Sequence, residues 1–317
     1  MQLPLVVGVD GSEPSLRAVD WAADEAVLRG VPLRVVHASL WEFPPSPRPA
    51  RAEETPVEGA VPGKPQEQVR AEDVVEAAAR RARVRHPGLP ISRAALPEEP
   101  EAALVRESRN ASVLVVGARG RSAVADLLLG SVSLFVAAHA DCPVVVVRGG
   151  HDNQVRTPVH GRVVVGVGDE SAEAVRFAAE EAERRGAVLE AVRAWRRPAY
   201  EGLSHPLITG EPARVHEERA ARALEAALRD VPSQVKLERR TAEGPARGVL
   251  LAAARHADLL VVGVRCRPGS LGLRLGRTAH RVLHHAACPV AVVPERERGE
   301  AVPEGARGTR EPREERP

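Results

Sequence analysis

The chain is written twice, and this constrains its fold more than any other feature. CPVVVV at 142–147 returns as CPVAVV at 288–293, and SVLVVGARG at 112–120 returns as DLLVVGVRC at 258–266. VDWAADEAVLRG at 19–30 returns as VRFAAEEAERRG at 175–186, and PLVVGVDGS at 4–12 as RVVVGVGDES at 162–171. Gly117 to Gly263 and Cys142 to Cys288 are both offsets of 146; Gly30 to Gly186 is 156 and Gly8 to Gly166 is 158. The order of segments is kept and only loop lengths differ. A period this long means a duplicated domain, not a short-repeat solenoid. The 317 residues agree with a prior of two domains.

Each copy reads β-α-β-α-β-α-β-α-β. In the first, Leu3–Val9 is an almost unbroken apolar run, as a strand covered on both faces requires. Ser12-Glu13-Pro14 starts a helix with a cap, an acid and a proline in the first turn; it ends near Gly30. Further strands are expected at Leu33–Ala38, 90–95, Val113–Gly117 and Val144–Arg148, with helices at 66–86, 99–109 and Ser131–His139. Trp41–Lys64, rich in Pro and Glu, reads as a long surface loop. The implied domains are 1–148 and 161–294, joined by a linker at 149–160 and followed by a tail at 295–317. That tail holds seven Glu, six Arg and one sizeable apolar residue, Val302, and is expected to be disordered. The fold class is α/β: two doubly wound, open, parallel five-stranded sheets, each ordered 3-2-1-4-5 and Rossmann-like.

Composition excludes several function classes. Lys+Arg 45 against Asp+Glu 43 leaves a net charge of +2, which argues against a nucleic-acid binder; aromatics at 2% argue against a base-stacking platform. No run approaches a membrane span, and the start lacks a signal-peptide pattern, so a bacterial cytoplasmic protein without a membrane partner is expected. Three cysteines without a CxxC pair make no disulfide framework. Cys142 and Cys288, each before a proline, read as buried structural thiols. His280, His284 and His285 read as ordinary helix residues and not as metal ligands. Trp21 and Phe177, at equivalent positions, read as core. Glu180-Glu181 reads as a solvated helix face.

In an open parallel sheet, ligands bind where strand order reverses, here between strands 1 and 4. Beyond strand 4 the first copy reads Gly117-Ala118-Arg119-Gly120, nine residues, then Gly130-Ser131-Val132-Ser133. Glycines let the backbone approach a ligand, and Gly130-Ser131 opens a helix whose free N–H groups favour an anion. The Ser131 and Ser133 hydroxyls could add hydrogen bonds to phosphate oxygens, and Arg119 and Arg121 supply positive charge.

With this Gly-x2-Gly-x9-Gly-Ser spacing, the opening VVGVDGSEPSLRAVDWA and the closing CPVVVV, the chain resembles a tandem universal stress protein over nearly all of 3–148 and 161–294. The resemblance implies ATP binding in the first copy. Asp10 would lie near adenine and ribose, Ala38 in the adenine pocket, Val116, Gly117, Arg119 and Gly120 on the strand-4 loop, and Gly130, Ser131, Val132 and Ser133 at the phosphates. Such sites commonly carry Mg²⁺ with the nucleotide. It also implies pairing of the two copies through their fifth strands as an internal pseudo-dimer, with a homodimer as a further step. The second copy departs from the motif. Gly168 stands for Asp10, Cys266 for Gly120 and Arg277 for Ser131. It is therefore expected to be poor in ATP.

The reading is an ATP-binding stress or dormancy regulator without catalytic residues or a protein metal site. No Walker lysine and no evident general base are present, so turnover would be at most that of a slow ATPase. The competing readings are that slow ATPase and a nucleotide-independent scaffold. A dinucleotide oxidoreductase is excluded because Val9-Asp10-Gly11-Ser12 is no GxGxxG.

Overall fold

A computed structural model describes residues 2–41, 66–119, 129–148, 160–197, 211–265 and 275–295. The expected 149–160 linker (except His160), the tail beyond Glu295 and most of the 41–64 loop lie outside these residues. The first copy runs β1 (Leu5–Gly8), α1 (Glu13–Arg29), β2 (Leu33–Ala38), α2 (Gln66–Arg85), β3 (Ile91–Leu96), α3 (Pro100–Ser108), β4 (Val113–Gly117), α4 (Ser131–His139) and β5 (Val144–Val147). The second runs β6 (Arg162–Gly166), α5 (Ala172–Arg185), β7 (Val188–Trp195), α6 (Glu211–Ala227), β8 (Leu237–Glu243), α7 (Ala246–Ala253), β9 (Leu259–Arg265), α8 (Arg277–His285) and β10 (Val290–Glu295).

Each half is parallel and ordered 3-2-1-4-5, but the two form one sheet of ten strands: β3-β2-β1-β4-β5-β10-β9-β6-β7-β8. The join is antiparallel, with Val144 opposite Val292 and Val146 opposite Val290. Two bare valine-rich edges are thereby closed on each other, which removes a surface that invites stray pairing. Alternate residues of β1 explain its apolar run. Leu5 and Val7 lie in the core layer shared with α1, α2, α5 and α6, while Val6 lies in the layer shared with α3, α4, α7 and α8.

α1 begins as its sequence requires: Ser12 is the N-cap, its side chain accepts from Ser15 N, a proline occupies the first turn, and Gly30 ends the helix at φ 66°. α5 ends likewise at Gly186, φ 61°. Cys142 and Cys288 are buried among apolar side chains, and that burial pushes both thiols up to about 12. They are inert parts of the core.

Two expectations change. Glu181 is not on a solvated face: it is fully buried, as is Glu25 at the equivalent place on α1. The β5–β10 join brings α1 and α5 together, so one face of each helix becomes interior. Arg29 binds Glu25 at 2.5 Å and Glu181 at 2.5 Å. Arg185 binds Glu181 at 3.0 Å and also Glu25. Arg29 lies 5.1 Å from the centroid of Phe177, and Arg185 5.7 Å from that of Trp21. The second change is at the boundary of the tail. Glu295 is not part of it; it is the last residue of β10 and buried.

Candidate functional site

The crossover point of the first half opens into a cavity of about 750 Å³. Its walls are the carboxyl ends of β1, β2 and β4, the starts of α3 and α4, and the first turns of α2. That volume is in the range of small-molecule sites, about 300–1,000 Å³. Asp10, Ala38, Val116, Gly117, Arg119, Gly130, Ser131, Val132 and Ser133 all line it. Gly120 and Arg121 lie outside the described residues, as does Cys266 in the second half.

Asp10 follows β1. Its carboxylate accepts from Ser12 N at 2.9 Å and from the Ser12 hydroxyl at 2.6 Å, folding the β1–α1 turn back on itself. Gly11 takes φ 80°, which only glycine adopts at little cost. Gly117 allows close approach: a Cβ there would lie 2.7 Å from Pro14 O and 3.0 Å from Ser15 N. The start of α1 therefore rests directly on the end of β4.

Gly130 is the N-cap of α4 in an extended conformation, with no side chain capping the helix. Its first N–H groups face the cavity end, a ready donor set for an anion. Two bonds tie this helix start to β4: Gly130 N to Ala118 O at 2.9 Å, and the Ser133 hydroxyl to Gly117 O at 2.6 Å. Ser133 is buried and its proton is already committed, so its hydroxyl orients the helix. Ser131 carries the accessible hydroxyl, which among the described residues makes a long 3.4 Å contact to Glu101.

Several lining residues were not found from the sequence. His37 holds the Val9 carbonyl at 2.7 Å. Glu67 and Arg70 reach the cavity from α2. No local pattern marks Glu67 and Arg70, because α2 lies far away in sequence and carries only an ordinary helical apolar stripe; His37 adjoins Ala38 on β2 but has no motif of its own.

The equivalent loops of the second half are bonded differently among the described residues. Arg193, the counterpart of His37, donates to Gly168 O at 2.7 Å and to Asp169 Oδ1 at 2.6 Å. The acid nearest to the Asp10 position is thus paired with an arginine. Glu295 inserts between β9 and α5, accepting from Glu173 N at 3.0 Å and Ala174 N at 2.9 Å. A Cβ on Gly263, the counterpart of Gly117, would lie 2.6 Å from its Oε1.

Comparison with known proteins agrees with the repeat. The profile of the Universal stress protein family matches residues 1–148 and 160–294. A universal stress protein of Mycobacterium tuberculosis is 36% identical over 301 residues, covering 91% of this chain and 96% of the relative. One from Mycolicibacterium smegmatis is 33% identical over 298 residues, covering 91% and 96%. Among solved structures, a universal stress protein from Archaeoglobus fulgidus superposes with a TM-score of 0.60 at 18% identity, covering 92% of this chain and 98% of the other.

Proposed function

The chain belongs to the universal stress protein family, and on that premise we propose that its first domain binds ATP and regulates a stress or dormancy response in the cytoplasm. The observation that carries the reading is the 750 Å³ cavity that ends on an uncapped helix N-terminus and is lined by nine of the ten residues of the ATP motif. A plain scaffold has no need of such a cleft.

The residues fit the ligand. Ala38, Val116 and the apolar side chains of α2 would hold the base. Asp10, already fixed by Ser12, would accept from the ribose hydroxyls. The α4 N–H groups, the Ser131 hydroxyl and the Arg119 guanidinium would take the phosphates. Magnesium would enter on the phosphate oxygens. Among the described residues no group of three His, Cys, Asp or Glu could hold a metal ion alone. The chain would keep the nucleotide as a ligand: among the described residues no side chain is placed as a base for an attacking water, so hydrolysis would be slow at most. Among the described residues no helix is long and apolar enough to cross a membrane.

The test is to purify the chain, denature it and identify released nucleotide by mass spectrometry, then titrate ATP by calorimetry. One ATP per chain, lost in Gly130→Asp, is the expected result. No co-purified nucleotide and no binding heat would favour the scaffold reading. Phosphate release well above background would favour the enzyme.

A further inference from the structure

The second domain touches the anion-binding end of the first. Leu129 immediately precedes Gly130, and its backbone N–H donates to Nδ1 of His284 on α8 at 3.4 Å. The preceding residue of that helix, Leu283, accepts at its carbonyl from the guanidinium of Arg148, at the end of β5. Arg148 is also close enough to Arg119 for the two charges to oppose each other. The last turn of α8 is therefore anchored to the first domain on one side and props the entry of α4 on the other.

The prop works in one direction only. α4 and α8 start at Ser131 and Arg277, so the counterpart of His284 is Ala138 and that of Arg148 is Pro294. Neither can make the reciprocal contact. A merely symmetric packing seam would place similar residues at both positions. Here both polar partners serve the domain that keeps the intact Gly130-Ser131 helix start.

We propose that His284 of the second domain is a positioning residue for the nucleotide site of the first, holding Leu129 so that the Gly130–Ser131 helix start stays aimed into the cavity. This rests on the nucleotide-binding reading above. His284 does not touch the ligand. It accepts a backbone N–H that a free loop would give to water, and so lowers the ordering that phosphate binding must impose. The second domain, whose own motif has lost the Gly120 and Ser131 counterparts, thereby acts as a structural cofactor of the first.

The test uses the full chain and ATP itself. His284→Leu keeps bulk and loses the acceptor; it should weaken ATP binding about five-fold, the scale of one hydrogen bond of ordinary net strength. His284→Asn places an acceptor oxygen at the same δ position and should restore affinity to within about two-fold of wild type. His280→Leu, one turn earlier on the same helix with its ring 4.5 Å from that of His284, should leave affinity unchanged. Amide exchange at Leu129 should quicken in His284→Leu and return towards wild type in His284→Asn. Equal ATP affinity in wild type and His284→Leu overturns the positioning role and leaves the nucleotide reading intact. A loss in His284→Leu that Asn fails to rescue also overturns it, since the δ acceptor would then not be what the helix start needs. Absence of ATP binding by the wild type overturns the nucleotide reading, and the positioning role with it.

Discussion

Glu25 and Glu181 meet carboxyl to carboxyl in the buried seam between α1 and α5, and the same two arginines hold both. They occupy equivalent places in the two copies, each four residues before its own arginine. The duplicated Glu-x3-Arg thus becomes a self-complementary clasp about a pseudo-two-fold axis. Arg184 also reaches Glu181 at 3.2 Å from the rim, so three arginines compensate the two carboxylates, as a buried cluster requires.

Removing one carboxylate should cost unequally. Glu181→Leu strands Arg29 and Arg185 with a single partner, and loss of about 3–5 kcal/mol is expected. Glu25→Gln should cost less, because burial and the neighbouring Glu181 already push the Glu25 carboxyl above its usual range. Urea titration of the full chain checks the order. A larger loss in Glu25→Gln than in Glu181→Leu would contradict it.

The same pair sets a pH signature. Burial alone would raise Glu181, but Arg29 and Arg185 outweigh it and hold the carboxyl below the ordinary glutamate range. Its contribution is present above the unfolded value and lost as pH falls through the lower folded one. Glu25, raised, contributes in the opposite sense: its share is present in acid and lost as pH rises through the folded value. Urea midpoints should therefore rise on mild acidification and fall again below the ordinary glutamate range. Glu25→Gln should abolish the rise and Glu181→Gln should blunt the acid fall; midpoints with unchanged pH profiles in both would refute the assignment.

Gly117→Ala should damage both stability and the site. Its Cβ would meet backbone atoms of Pro14 and Ser15, which cannot rotate away, so overpacking of about 1–3 kcal/mol is expected. Gly276→Ala meets nothing within 4 Å and is the silent control. Thermal melts with ATP titration separate them, and equal behaviour of the two variants would show that α1 does not rest on β4.

Ser133→Ala and Ser131→Ala should split stability from affinity. Loss of the Ser133 hydroxyl leaves Gly117 O without its buried donor, a cost of about 1–3 kcal/mol. Ser131→Ala should leave the melt within about 0.5 kcal/mol of wild type, as a surface change does, and weaken ATP binding. A stable Ser133→Ala with weakened binding would return that hydroxyl to the phosphates.

Most of the fold was legible in the chain. Apolar runs at Leu5–Gly8 and Val113–Gly117, the Ser12 cap and the Gly30 stop are local signals, and local backbone preferences make them reliable. The spacing from Gly117 to Ser133 was legible for the same reason, since a strand, a loop and a helix start are consecutive. What each hydroxyl does there was not. Ser131 and Ser133 are two residues apart on one helix turn and so face different surroundings.

By itself, the sequence determined the duplication, the order of strands and helices, and which copy kept the glycines of the anion loop. These depend on short-range pattern alone. Only the tertiary structure decided that Glu181 is interior, that Glu295 caps the start of α5, and that His284 reaches Leu129 across the domain seam. Each of these depends on which surfaces the β5–β10 join brings together. A charged side chain carries no mark of its partner until distant segments meet, because its burial is set by a neighbouring helix and not by its own.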